Sequence, residues 1–405
     1  LFTRDAAGRY LPGLRAGLLP PRPTKDAAMP IAPPIAVTAM TWTTALGDDL
    51  DAVWERLLAG VTGLSPVKHE GRLRSDLAAA VPTVPLDLPA AERMTRMGLP
   101  ALRRALAEAG RDAAEPGVQL VLGTSLGAFL EDEAPPLHAW ADDLARAVGA
   151  AAPPVSISTA CSSSSDAILV GAELIRAGAA RCCVCGGVDV LTMSKRLAHS
   201  ALGTMSPTML RAFDVRHDGT LIGEGAAFVV LEAEPVASGR PPLAWLRGTG
   251  AANDASGMTT PDASGRGARY AVERSLADAG LSAGDIDLVS AHGSGTPLND
   301  ATEALAFREL FVPHGTARGD RPMVFGTKGN FGHSLGATGA MEAITLLLAL
   351  RTGQVPPVAG LEEPDPAFPL PLPRGVPSPT SARFGLSLTL GFGGFDTSLV
   401  FEVAR

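Results

Sequence analysis

Two hydrophobic rhythms alternate along the chain. Ile35–Met40 is a short apolar run of strand length. From Asp48 to Gly60 the period lengthens: Leu50, Val53, Trp54, Leu57 and Leu58 share one face, and Gly60 marks the stop of a helix. A second helix is expected between Pro85 and Gly110, where Leu102, Ala105, Leu106 and Ala109 repeat at helical spacing. Val118–Leu122 predicts a strand ending in Gly123-Thr124-Ser125-Leu126-Gly127, and Val155–Ile157 predicts another running into Ser158-Thr159-Ala160-Cys161. A helix over Ser162–Ala177 and strands over Cys182–Val188 and Ala226–Glu232 complete a first half. The second half has a helix at Ala268–Ala279, strands at Ile286–Ala291 and Met323–Thr327, a helix at Thr338–Leu350 and a final strand at Thr397–Glu402. This alternation predicts α/β layers with mostly parallel pairing. The halves also echo each other at their ends: Gly223-Glu224-Gly225 leads into Phe228–Glu232, and Gly391-Phe392-Gly393-Gly394 leads into Leu399–Glu402. Residues 1–34 stand apart. They are rich in Pro, Arg and Gly, lack periodicity and the apolar core of a signal peptide, and contain Met29. They read as a flexible leader, or as material upstream of a start near Met29.

Composition narrows the class without naming a reaction. The 405 residues are 46% hydrophobic and 19% charged, a globular balance and too apolar for intrinsic disorder. A net charge of -8 argues against a general nucleic-acid binder. The longest apolar helical stretch, Ala343–Leu350, falls short of the roughly 18 residues of a membrane span. Four cysteines in so long a chain form no disulfide framework, which points to a reducing, cytoplasmic setting.

Candidate chemistry begins at Cys161, where an apolar strand becomes a helix among Thr159, Ala160 and Ser162–Ser165. A thiol at a helix N-terminus meets unpaired N–H groups that lower its pKa, and a sharp turn with small neighbours admits a substrate, as nucleophilic acyl transfer requires. Taken alone, Cys161 fits a small buried core residue equally well. Cys182, Cys183 and Cys185 read as core, because adjacent strand residues face opposite ways and cannot share a metal. Two of the seven histidines end apolar strands between glycines: His292 in Ala291-His292-Gly293-Ser294-Gly295-Thr296, and His333 in Lys328-Gly329-Asn330-Phe331-Gly332-His333. Such a histidine can aim a ring N–H at a carbonyl oxygen. Either could be structural by itself; the two together with Cys161 and Lys328 favour a site. His69, His138, His199 and His314 lack such settings and read as surface or loop residues. No metal or other cofactor is indicated.

These motifs resemble the β-ketoacyl-acyl carrier protein synthases of the Cys-His-His kind. The likeness runs from about Ile35 to the C-terminus and is densest at Thr159–Ser164, Arg211-Ala212-Phe213-Asp214 through Gly223-Glu224-Gly225, His292–Thr296 with Asn299, Asp300 and Glu303, Lys328–His333 with Gly336, Gly339 and Glu342, and Gly391–Gly394. It implies a thiolase-like duplicated fold, a five-layered αβαβα sandwich, with halves at 35–232 and 233–405. It further implies a ping-pong condensation. Cys161 would take an acyl chain from a carrier protein, and a malonyl-carrier protein would lose CO₂ and attack the thioester. The N–H groups of Cys161 and Phe392 would form the oxyanion hole, with Phe392 also gating the pocket. His292 and His333 would hydrogen-bond the malonyl thioester oxygen, and Lys328, paired with Glu342, would order the site. Arg211 matches a carrier-docking position, to which Arg93, Arg96, Arg103 and Arg104 could add, although a solvated helix face explains each of those four as well.

Some positions depart from the family pattern. The segments 60–85 and 127–155 are short, His217 replaces a common Arg, Ser294 a Thr, Leu388-Thr389-Leu390 an Asn-Ser-Phe, and Asp396 an Asn. They leave the Cys-His-His set intact and point to a specialised synthase. The partners implied are an acyl carrier protein and either an identical chain, as a homodimer, or a related ketosynthase subunit. Two rival readings stay open: an acyltransferase that forms no carbon–carbon bond, and a non-catalytic chain-length partner of a ketosynthase heterodimer.

Overall fold

The computed structural model describes residues 33–131, 136–233, 241–313 and 321–404. All but the last two residues of the expected leader, and His314, lie outside them. In chain order the first elements are β1 (Ile35–Thr43), α1 (Leu50–Leu58), α2 (Ala90–Ala109), β2 (Val118–Gly123), α3 (Ala139–Ala147), β3 (Val155–Ile157), α4 (Ser163–Arg176), β4 (Cys182–Asp189), α5 (Met193–Ala201) and β5 (Gly225–Glu232). There follow β6 (Ala244–Asn253), α6 (Arg266–Ala279), β7 (Leu288–Ser290), α7 (Pro297–Phe311), β8 (Met323–Phe325), α8 (Lys328–Phe331), α9 (Thr338–Thr352), β9 (Phe384–Gly391) and β10 (Phe395–Val403).

These ten strands hydrogen-bond in the order β8-β7-β9-β10-β6-β1-β5-β4-β2-β3. The order is one pattern used twice. β1 pairs antiparallel with β5 and β5 with β4, while β4, β2 and β3 run parallel. β6, β10, β9, β7 and β8 repeat that arrangement, and Ile35–Val37 joins the two runs by pairing with Ala244–Leu246. The expectation of mostly parallel pairing is therefore corrected: parallel strands lie at the flanks, antiparallel ones in the middle. A tight turn between β9 and β10 permits only antiparallel pairing. The glycine-rich echo is also located, since Gly223–Gly225 and Gly391–Gly394 lead into β5 and β10, the matching strands of the two runs.

Strand alternation builds the layers. Cys182, Val184 and Val188 of β4, with Ala226, Phe228 and Val230 of β5, pack with Met97, Ala101 and Ala105 of α2. Cys183 and Cys185, with Ala227, Val229 and Leu231, belong instead to the core that holds Ala167, Ile168 and Ala172 of α4. The three cysteines thus divide between faces, buried and free, as the period-two argument expected. Helices α4 and α9 touch each other and strands of both runs, α2 covers the outside of one run and α6 the outside of the other, giving α-β-α-β-α layering. Because α9 lies between sheets, Thr338–Leu350 is buried all round. With the preceding 3₁₀ turn it makes an 18-residue stretch, Leu335–Thr352, long and apolar enough to cross a membrane; 89% of it is buried inside the fold, as in a core helix.

The close seat of α4 is testable at Gly171, where a Cβ would stand 2.2 Å from Cys185 Sγ and 3.2 Å from Cys183 Cβ. Gly171→Ala should destabilise the protein by about 1–3 kcal/mol in denaturant unfolding, through overpacking. An unchanged midpoint would contradict this packing.

Candidate active site

The turn carrying Cys161 is held by its own hydroxyls. Ala160 has a φ of 55°, the left-handed region that a Cβ disfavours, so other contacts must fix the bend. Asp166, in the first turn of α4, accepts hydrogen bonds from the Thr159 and Ser162 hydroxyls and from Thr397 of β10. Ser163 Oγ accepts the Thr159 N–H at 2.9 Å, Ser164 Oγ accepts the Ala340 N–H at 2.9 Å, and Ser165 Oγ meets Thr389 Oγ1 at 2.9 Å. The serines expected only to leave room for substrate are thus buried and bonded: Ser162 and Ser163 close the turn itself, and Ser164 and Ser165 tether it to α9 and β9. Gly123 lets the α4 N-terminus approach, since a Cβ there would lie 2.6 Å from the Ser163 backbone.

Cys161, 4% exposed, opens on a cavity of about 360 Å³ whose lining includes His292, His333, His199, Phe392 and Asp396. The expectation of a lowered thiol pKa fails. Burial pushes Cys161 up to about 11, and the Lys328 charge and a hydrogen bond from the Phe392 N–H offset only part of that rise. At rest the sulfur is a thiol. Lys328 and the Phe392 N–H stabilise a thiolate less than the loss of water disfavours it.

His292 and His333 sit at right angles, ring centroids 5.2 Å apart. Burial holds both well below the ordinary imidazole range, and Lys328 adds to the effect on each. Both are neutral, and their tautomers follow from their partners. Lys328 Nζ, having only hydrogens to give, meets His292 Nδ1 at 3.2 Å. The Leu335 N–H donates to His333 Nδ1 at 3.3 Å. With Nδ1 accepting in each ring, the proton lies on Nε2. Lys328, 1% exposed, also donates to the His292 carbonyl and to Glu342, whose other oxygen accepts from Thr389 Oγ1 at 3.2 Å. Burial raises Glu342 to about 7, against the pull of Lys328. Glu303 fixes the histidine loop by accepting the N–H groups of His292 at 2.8 Å and Gly293 at 2.7 Å. The arrangement offers a thiol beside a backbone N–H and two neutral ring N–H donors, a set suited to acyl transfer through an oxyanion.

His199 and Arg93 lie elsewhere than expected. His199, expected at the surface, is buried in the cavity wall with its ring stacked on Phe392, centroids 5.7 Å apart. Arg93, expected in an exposed basic patch, is buried in an ion pair with Glu224 and donates to the Leu191 carbonyl at 2.7 Å. Arg104 is tied to the Trp42 carbonyl at 2.6 Å, and Arg96 pairs with Glu92 on its own helix. Arg211 is half-buried, with Nη1 donating to Thr208 Oγ1 at 2.9 Å. Periodicity could not have found Asp166 or Glu303 as anchors, although each is an acid just inside a helix N-terminal half, next to a motif.

Fold and site together point to an acyltransferase class on a twice-used α/β scaffold. The chain matches the N-terminal domain of β-ketoacyl synthases over residues 32–237 and their C-terminal domain over 243–362. It belongs to the β-ketoacyl synthase family. It is 30% identical to 3-oxoacyl-[acyl-carrier-protein] synthase 2 of Mycobacterium bovis (strain ATCC BAA-935 / AF2122/97), over 91% of this chain and 97% of that protein. A β-ketoacyl synthase structure from Burkholderia phymatum STM815 superposes with a TM-score of 0.81 at 29% identity, covering 92% of this chain and all of that one. A ketosynthase in complex with its chain length factor, from Xenorhabdus doucetiae, gives 0.76 at 28% identity, over 92% of this chain and 98% of that one.

One substitution noted in the sequence supports the histidine loop from behind. His217 Nδ1 lies 3.0 Å from Asp300 Oδ2, while Asp300 Oδ1 accepts the Gly295 N–H at 3.1 Å. The hydrogen bond to Asp300 raises His217 above 6.5; burial opposes the rise, and the charges of Asp300, Asp365 and Asp214 reinforce it. A histidine raised on folding stabilises fully below its unfolded pKa and loses that contribution as pH climbs through the folded value. Stability should therefore decline as pH rises above about 6.5, and His217→Gln should flatten the decline. Parallel unfolding profiles for both proteins between about pH 6 and 9 would contradict a titrating pair.

Proposed function

We propose that the protein catalyses the decarboxylative Claisen condensation of a malonyl-carrier protein with an acyl chain held on Cys161. The observation that carries this reading is the pair of neutral histidines, both with Nε2–H, in one cavity with Cys161. In the first half-reaction the sulfur takes the acyl group, the carbon–sulfur bond to the carrier breaks, and the thiol proton leaves with the carrier thiol. The N–H groups of Cys161 and Phe392 serve as the oxyanion hole. In the second, the malonyl thioester loses CO₂, and its electron pair moves toward the thioester oxygen, where His292 and His333 donate. The enolate carbon then bonds to the acyl carbon, and the Cys161 sulfur departs. Glu342 holds Lys328, which keeps the donors in place and helps keep them neutral; Phe392 gates entry.

The remaining assignments belong to the same proposal. The catalytic unit divides into halves at 35–232 and 233–405, the first with the nucleophile and the second with both histidines. An acyl carrier protein delivers both thioesters and docks near Arg211, and four free cysteines suit a reducing, cytoplasmic setting. A second subunit, identical or a related ketosynthase chain, meets the β3 edge. Leu126, Phe129 and Leu130 stand exposed on the segment after β2, the strand paired with β3. Phe129→Glu should shift sedimentation toward monomer, and an unshifted profile would rule this face out.

The central test is intact-mass analysis after mixing the full chain with acyl- and malonyl-carrier proteins. A Cys161 adduct, CO₂ release and a 3-ketoacyl product are expected, with no adduct in Cys161→Ala. His292→Ala or His333→Ala should slow decarboxylation by about 10²–10³ and acyl loading much less, since each removes a donor aimed at developing charge. Loading without CO₂ release would instead favour an acyltransferase; no adduct at all would favour a non-catalytic subunit.

A further inference from the structure

His199 has a role that the condensation itself does not require. It stands in the last turn of α5, 7% exposed, in the wall of the cavity that holds Cys161. Its Nδ1 lies 2.9 Å from Thr204 Oγ1, and that hydroxyl donates its single hydrogen to the His199 carbonyl at 3.2 Å. We assign the proton to Nδ1, the tautomer in which both Thr204 contacts are hydrogen bonds, and Nε2 then keeps its lone pair. Among the described residues Nε2 has no hydrogen-bond partner, and it remains accessible from the cavity. This is the tautomer opposite to that of His292 and His333. Burial and the nearby Lys195 hold the ring down to about 4, so the lone pair is free at neutral pH.

The surroundings say what such an acceptor can select. The cavity wall is mixed, with Leu202, Leu390 and Phe392 among polar groups such as Thr204 and Thr220, and a saturated chain laid against His199 strips water from Nε2 and returns no hydrogen bond. A carbonyl offers only another lone pair. A hydroxyl supplies the missing hydrogen. Phe392 links His199 to the reacting sulfur: its ring stacks on His199 at an interplanar angle of 21°, and its N–H bonds to Cys161. The atoms that meet Nε2 therefore belong to the thioester end of the chain.

We propose that His199 is a specificity-determining residue that selects acyl chains carrying a hydroxyl group near the thioester, with Nε2 accepting the O–H hydrogen bond. This rests on the condensing reading, because it takes the cavity as the seat of the Cys161-bound chain. A site built to pair a buried polar atom discriminates strongly against the analogue that lacks the partner.

The test is a competition in which the full chain meets equal amounts of hexanoyl, 3-hydroxyhexanoyl, 5-hydroxyhexanoyl and 3-oxohexanoyl pantetheine thioesters, with Cys161 adducts resolved by intact mass. At least one hydroxyacyl adduct should form about tenfold or more faster than the saturated one, and the oxo chain should gain no such advantage. His199→Phe keeps a ring on Phe392 but removes the acceptor, and should bring the ratio close to one. Equal loading of hydroxylated and saturated chains by the unaltered protein overturns the proposal without any variant, as does a preference that survives in His199→Phe or one for the oxo chain. Absence of every adduct overturns the condensing reading, and this proposal with it.

Discussion

An ammonium group enclosed among three acceptors is the interaction on which the site depends. Lys328 Nζ reaches Glu342, the His292 carbonyl and His292 Nδ1 with almost no exposure to water. A lone buried charge is so costly that the surrounding structure must supply partners in good geometry, and loss of one partner of such a pair typically costs about 3–5 kcal/mol. Lys328 therefore dictates more than its own position. It occupies Nδ1 of His292 and thereby turns the N–H outward, and its charge helps keep both histidines neutral. A protonated imidazole would be a stronger donor but would add uncompensated charge to a buried site. A single cation balanced by Glu342 allows two neutral donors to stand together.

The nucleophile turn answers a second constraint, that a strained backbone needs help from outside its own segment. Ala160 lies in the left-handed region, and the bonds that hold the turn come from both runs of the sheet. Asp166 gathers Thr159, Ser162 and Thr397, while Ser164 and Ser165 reach Ala340 and Thr389. Cys161 belongs to the first run and both histidines to the second, so these serine tethers are also what aligns one half of the site with the other. Duplication supplies two similar faces; α4 and α9, packed between them, carry the tethering serines and Glu342.

The sequence made legible what depends on local pattern. Cys161, His292, His333 and Lys328 were visible because each stands among small residues in a short turn, although Lys328 opens helix α8 and His333 follows it, so neither ends a strand as expected. The helices α4 and α6 were visible because their periodicity is clear. Pairing sense was not legible, since it depends on which strands meet across long separations. Phe384–Gly391 was missed even though it alternates, because burial of both faces makes Ser387 and Thr389 part of the interior. His199 was misplaced for a related reason: it lies on a helix rich in Lys, Arg and Ser, yet Lys195 and Arg196 of that helix are themselves buried in hydrogen bonds. Arg93 shows the same limit, a charge that reads as solvated until Glu224 is found beneath it.

The raised pKa of Cys161 sharpens what the helix N-terminus contributes. A thiolate exposed to solvent needs only a nearby positive field, and a lowered pKa then reports reactivity. Here burial outweighs Lys328 and the Phe392 N–H together, and the resting sulfur keeps its proton. In the proposed condensation the Phe392 N–H would stabilise negative charge on the sulfur or on an acyl oxygen beside it, with its largest contribution as the carbonyl is attacked. A nucleophile of this kind is activated by the substrate that reaches it. The same loop carries the Phe392 ring, which stacks on His199, so entry to the cavity, the environment of the sulfur and the wall against the acyl chain all depend on the Gly391–Gly394 turn.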